Sequence, residues 1–191
     1  MRLNEPRIPP VADQAASEAQ KAVLAPFVAR GTDYNIFRTM AQQPGSLDRF
    51  LTWATYILSE RNSLAPRTRE LAILRTGFNC GSGYEWAQHV VIGKGTGLTD
   101  DEIARIKLGP DAPGWSPADV AILGACDALT RDFFIPDPVW AALRDHFTTE
   151  QCMDLVYTVA QYTQVSMLLN SFGVQLDTGL RLDPDLDRRP A

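Results

Sequence analysis

Ser116-Pro117-Ala118-Asp119 is a helix start compressed into four residues: a capping hydroxyl, a proline at the first helical position and an acid in the first turn. Devices of this kind recur along the chain. Asp137-Pro138 repeats the cap-plus-proline pair ahead of Val139, Trp140 and Leu143. Thr99-Asp100-Asp101-Glu102 and Thr148-Thr149-Glu150-Gln151 fit the capping box, where cap and third residue exchange backbone hydrogen bonds. Pro66 opens the run from Arg67 to Leu74. Behind each start, apolar residues return at helical spacing, as in Leu71/Leu74/Phe78, Val120/Leu123/Ala128 and Val156/Val159/Ala160. No stretch alternates apolar and polar residues between hairpin turns. The sequence predicts an all-α protein of about eight or nine helices, near 14–30, 34–42, 46–61, 66–79, 82–94, 100–107, 117–132, 138–146 and 149–172. Segments 93–97 and 109–114, rich in glycine or proline, read as linkers.

A chain of 191 residues is expected to form a single domain over 1–191. Folding then buries roughly 70% of the unfolded surface, so neither disulfide nor structural metal is required. Residues 1–13 and 183–191 read as extended or partner-bound arms. With 18 Lys+Arg against 23 Asp+Glu the formal charge is −5, which argues against nucleic acid and anionic membrane surfaces as partners. Cys80, Cys126 and Cys152 are odd in number and widely spaced. They exclude a self-contained disulfide framework and a Cys-rich zinc site, and they suit a reducing, cytoplasmic location. The first ten residues lack the apolar stretch of a secretory signal. Leu155 to Leu176 carries no charge and is long enough to span a bilayer, yet it holds Gln161, Gln164, Asn170 and Gln175 besides several hydroxyls. Burying so many polar groups in lipid is costly, so this helix is expected inside protein or at a contact with a second subunit.

The densest set of functional side chains is Asn79-Cys80-Gly81-Ser82-Gly83-Tyr84-Glu85-Trp86-Ala87-Gln88-His89. With Ser82 as helix cap, Glu85 and His89 stand four residues apart on one helical face. A carboxylate one turn from an imidazole fixes its tautomer and raises its pKa, the basis of a poised acid or base. The same spacing also serves as a plain surface ion pair. Glu70, at the edge of the Leu71/Leu74/Phe78 stripe, is expected to be partly buried and to approach His89 if the two helices pack. Two glutamates and one histidine raise a metal site. The usual di-iron element, however, places Glu and His three residues apart and contributes that pair twice, so no metal is expected. His146, near a helix end, and Cys126 and Cys152, in apolar helical stretches, read as structural. Cys80 precedes a helix N-terminus, where a thiolate is favoured.

Three segments, Arg67-Thr68-Arg69-Glu70-Leu71-Ala72-Ile73-Leu74-Arg75, Tyr84-Glu85-Trp86-Ala87-Gln88-His89 and Gly97-Leu98-Thr99-Asp100-Asp101-Glu102-Ile103, make the chain resemble the carboxymuconolactone decarboxylase / alkylhydroperoxidase D-like family, over about 34–176. The resemblance implies an alkylhydroperoxidase D-like helical bundle and a homo-oligomer, whether trimer, hexamer or intertwined dimer. In the peroxidase-like branch a Cys-x-x-Cys-x-x-x-His motif exchanges disulfides. Aligned on His89, its cysteine positions fall at Ser82 and Glu85, and neither is cysteine. In the decarboxylase branch the helix carries Glu-x-x-x-His, which Glu85 and His89 match. That branch implies a cofactor-independent lyase acting on a small anionic lactone or keto acid in aromatic-compound catabolism. A related isomerase or lactone-opening reaction uses the same groups. The expected roles are His89 as proton donor, with Glu85 and Glu70 orienting it. Tyr84, Arg67, Arg75 and Trp86 are the expected substrate-binding residues. Two alternatives stand beside this: a thiol redox enzyme using Cys80 with an external thiol, and a non-catalytic binder of small molecules.

Overall fold

The computed structural model describes residues 1–189. Among them are nine α-helices and no strand: α1 (Glu18–Val28), α2 (Asn35–Met40), α3 (Pro44–Leu58), α4 (Pro66–Asn79), α5 (Gly83–Gly95), α6 (Asp100–Ile106), α7 (Pro117–Asp132), α8 (Asp137–Arg144) and α9 (Thr149–Phe172). The capping boxes at Thr99 and Thr148 are both formed, and Ser116 accepts from the Asp119 amide at 3.1 Å. Elsewhere the starts differ from the sequence reading. Pro44 occupies the first turn of α3, two residues before the predicted start. Pro136, not Asp137, is the cap position of α8, so Asp137 acts as a first-turn acid. The predicted helix 14–30 divides into a 3-10 turn at Asp13–Ala15 and α1, which starts at a Ser17/Gln20 capping box. Helix α5 runs on through Gly95, so three of the five residues of the expected 93–97 linker are helical.

Helix α4 is the axis of the molecule. It packs against α5, α7 and α9, and every residue from Arg69 to Gly77 is buried. A helix covered on all sides has no solvent face for its charges, so each must find a partner inside. Arg69 donates to the carbonyls of Ser59 and Leu58, Glu70 meets His89, and Arg75 meets Asp127. Leu71, Leu74, Ile122, Leu123, Leu143 and Leu155 form the main core around this axis. The chain itself covers much of the charge-poor α9, which lies against α3, α4, α5, α7 and α8.

The arms are extended but docked on their own chain. The amides of Arg7 and Ile8 both donate to the Phe172 carbonyl, at 2.9 and 3.1 Å. Leu186, in a 3-10 turn at Pro184–Leu186, is fully buried. Of the predicted tail, Pro190 and Ala191 lie outside the described residues. The arm contact requires Gly173. This residue ends α9 at φ +71°, and a Cβ there would stand 2.9 Å from the Glu5 carbonyl oxygen.

Candidate active site

Three helices bring the site together. Helix α4 supplies Glu70, α5 supplies Glu85 and His89, and α9 lays the Tyr162 ring edge-on to the imidazole, with centroids 4.9 Å apart. His89 Nδ1 is 2.7 Å from Glu70 Oε2, and Nε2 is 2.9 Å from Glu85 Oε1. All three groups are buried, with exposures of 2% for Glu70, 4% for Glu85 and 6% for His89. Carboxylate oxygens accept, so an imidazole facing one at each nitrogen is satisfied only as the doubly protonated cation. Burial alone would lower the His89 pKa; the adjacent Glu85 and Glu70 charges outweigh it and raise the pKa to about 10. The Tyr162 phenol is pushed well up by burial, then by the same two carboxylates. Both ring nitrogens of His89 are taken by carboxylates and neither is free for a metal. Among the described residues no group of three His, Cys, Asp or Glu side chains is disposed to ligate one.

Glu85 and His89 form part of the wall of a cavity of about 210 Å³. Ile57, Phe37, Phe50 and Val165 supply much of the remaining surface, and Tyr34, Leu58 and Ile92, each partly exposed, stand at its mouth. The Gln161 amide nitrogen is buried and has no hydrogen-bond partner in the protein. The α2 end of the cavity is pinned from the C-terminal segment. Asp177 accepts from the Asn35 amide at 2.8 Å, from Gln88 Nε2 at 2.6 Å and from the Tyr84 hydroxyl.

Several residues chosen from the sequence are elsewhere. Arg67 joins the starts of α4, α6 and α7 through ion pairs to Glu102 and Asp119. Arg75 holds Asp127 and the Ile106 carbonyl on the far side of α4. Neither lines the cavity, because carboxylates on other helices satisfy both inside the fold. Trp86 points into the main core, 5.6 Å from the Phe78 ring. Tyr84 does reach the cavity, but its hydroxyl already donates to Asp177 and accepts from Gln88. Burial and then Asp177 raise its pKa, so the phenol keeps its proton, which it gives to Asp177. Ser82 stands at the cap position of α5, yet its hydroxyl makes no capping bond. Cys80 ends α4 and lines a separate cleft with Arg2, Thr163 and Asn170. Burial pushes its thiol pKa up, opposite to the expected thiolate, and the Thr163 hydroxyl offsets only part of this. Gln161 and Tyr162 were not singled out. The one signal for them was their place in the uncharged 155–176 run.

Residues 44–128, which carry both glutamates and the histidine, match the model of the Carboxymuconolactone decarboxylase family. The match spans somewhat less than half of the chain. The match is narrower than the 34–176 resemblance, but the fold continues beyond it. A peroxidase-related protein from Ralstonia eutropha with the alkylhydroperoxidase AhpD core is 18% identical. It superposes with a TM-score of 0.78 over 91% of this chain and 93% of its own. A peroxidase-related protein from Silicibacter is 15% identical, with a TM-score of 0.76 over 93% and 95% of the two chains. The debrominase Bmp8, bound to 2,3,4-tribromopyrrole, is 13% identical, with a TM-score of 0.73 over 92% and 94%. No curated protein matches the sequence. At these identities the three structures show that this chain has the AhpD-like helical fold. No helix of the described residues is long and apolar enough to cross a membrane.

Proposed function

We propose that this protein is an acid–base enzyme that moves a proton to or from a carbon next to a carbonyl group, using Glu85 and His89. The observation that carries the reading is one imidazolium held between two buried carboxylates, with Glu85 and His89 both on the cavity wall. Glu85 is the group placed to meet substrate. His89 is the proton store behind it, and Glu70 fixes the ring from the far side. As base, Glu85 takes a proton from the carbon and leaves an enolate. As acid, the Glu85–His89 pair returns that proton to the same or a conjugated carbon. An allylic isomerisation and the last step of a decarboxylation share this transfer. A decarboxylase of an anionic lactone would use it too, but Arg67 and Arg75, the expected anion-binding groups, are engaged elsewhere. A thiol route through Cys80 gains no support, since that thiol faces a different cleft.

Exchange of α-protons into D2O, followed by NMR on cyclic ketones and lactones, tests the transfer apart from any later step. Glu85→Gln should slow enzyme-dependent exchange by about 10²–10⁴-fold. Exchange equally fast in Glu85→Gln and in wild type would remove Glu85 from the mechanism.

The reading includes a homo-oligomer. Trp53 and Tyr157 meet edge to face at 5.4 Å while remaining 41% and 38% exposed, with Met153 one turn away on α9. Sedimentation should show more than one chain per particle, and Tyr157→Lys should shift the particle toward monomer. A wild-type monomer at tens of micromolar would end this part of the reading.

A further inference from the structure

Charge and hydrogen-bond supply inside the cavity narrow what it can hold. Its described lining includes no lysine or arginine. The only cation there is His89, and both of its ring nitrogens already face carboxylates. The Tyr84 hydroxyl is committed to Asp177. A carboxylate entering this space would shed water, meet the Glu85 carboxylate and find no free cation in return. Among the described lining residues three donors have no partner in the protein, the Tyr34 and Tyr162 hydroxyls and the Gln161 amide nitrogen, and the last is the one shut away from solvent. The Gln161 amide nitrogen, on a side chain only 4% exposed, has no partner. A buried donor in that state is costly unless a water or a ligand supplies an acceptor. Size indicates what the space beside Glu85 can enclose. An engineered apolar cavity of about 150 Å³ accepts benzene, so about 210 Å³ takes one ring with a small substituent.

We infer that the substrate is an uncharged, single-ring-sized carbonyl compound, its oxygen received by Gln161 and its body enclosed by the apolar walls. This rests on the acid–base reading for its place in the reaction. In that setting Gln161 also faces the oxygen on which enolate charge develops, the position where a preorganised donor lowers the barrier.

Equilibrium binding separates the inference from that reading, because it needs no turnover. The probes are acetophenone, benzoate and toluene, titrated at neutral pH and followed by calorimetry. Benzoate has nearly the outline of acetophenone but carries a charge, and toluene lacks the acceptor. Acetophenone should bind saturably, and benzoate at least about 10-fold more weakly. Gln161→Met should weaken acetophenone by about 5–10-fold while leaving toluene within about twofold. Benzoate binding as tightly as acetophenone would overturn the inference, and so would no saturable binding by any of the three. Equal weakening of acetophenone and toluene in Gln161→Met would overturn the role of Gln161. If these binding results hold while Glu85→Gln exchanges protons normally, the proton-transfer reading fails and the ligand class stands.

Discussion

His89→Gln is expected to lose about 3–5 kcal/mol of folding stability near neutral pH, because it leaves Glu70 and Glu85 buried side by side without their cation. Urea denaturation measures the loss. The pH dependence gives a sharper signature. In the folded protein the His89 pKa lies at about 10, above its ordinary value of 6.5. A raised pKa means the folded state binds the proton more tightly than the unfolded chain. The resulting stability is present in full below about pH 6.5 and is lost progressively as the pH rises to about 10. Wild-type stability should therefore decline across that window, and His89→Gln should lack that decline. Acidification, which neutralises carboxylates, should recover part of the variant's loss, as should a second change, Glu70→Gln. An unaltered pH profile in His89→Gln would show that the imidazole is not held as a cation.

The second large effect is expected at Arg75, and on stability rather than on chemistry. Its guanidinium binds both carboxylate oxygens of Asp127, at 2.6 and 2.8 Å, and donates to the Ile106 carbonyl at 2.7 Å. It lies across Gly109, where φ is +89° and a Cβ would come within 2.7 Å of Nη2. This one side chain thus ties α4 to α7 and to the end of α6. Arg75→Met keeps the aliphatic stem but removes the cation paired with Asp127, whose side chain is partly solvated and keeps the Asn79 amide. It also takes one of two donors from the Ile106 carbonyl, which keeps the Gly109 amide. A loss of about 2–3 kcal/mol is expected, lower than for a fully buried pair. Proton exchange per folded molecule should stay at the wild-type level. Lost exchange with unchanged stability would return Arg75 to the substrate site.

These two residues show where sequence reading reaches and where it stops. Glu85 and His89 are one helical turn apart, so their meeting depends only on α5 being helical, and helicity is written in the local pattern. Glu70 carried a weaker signal, its place beside an apolar stripe. Arg75 looked equally eligible for the site, being on the same helix and of a type that binds anions. Its true partner, Asp127, lies on α7, and no local spacing connects the two. Gln161 and Tyr162 were hidden for a related reason. Helix α9 is contacted on several sides, so its sequence lacks the single apolar stripe that would have marked which face looks into a cavity.

The sequence by itself determined the helical class, most helix boundaries to within a few residues and the Glu85–His89 pair. Capping, proline placement and apolar periodicity act over one to four residues and are complete within each segment. Tertiary structure alone decided that α4 is buried along most of its length, that Arg67 and Arg75 are consumed by distant carboxylates and that the described lining of the cavity has no spare cation. Those outcomes follow from which helices are neighbours. Charge satisfaction in a low-dielectric interior is settled by partners brought together in space, often half the chain apart.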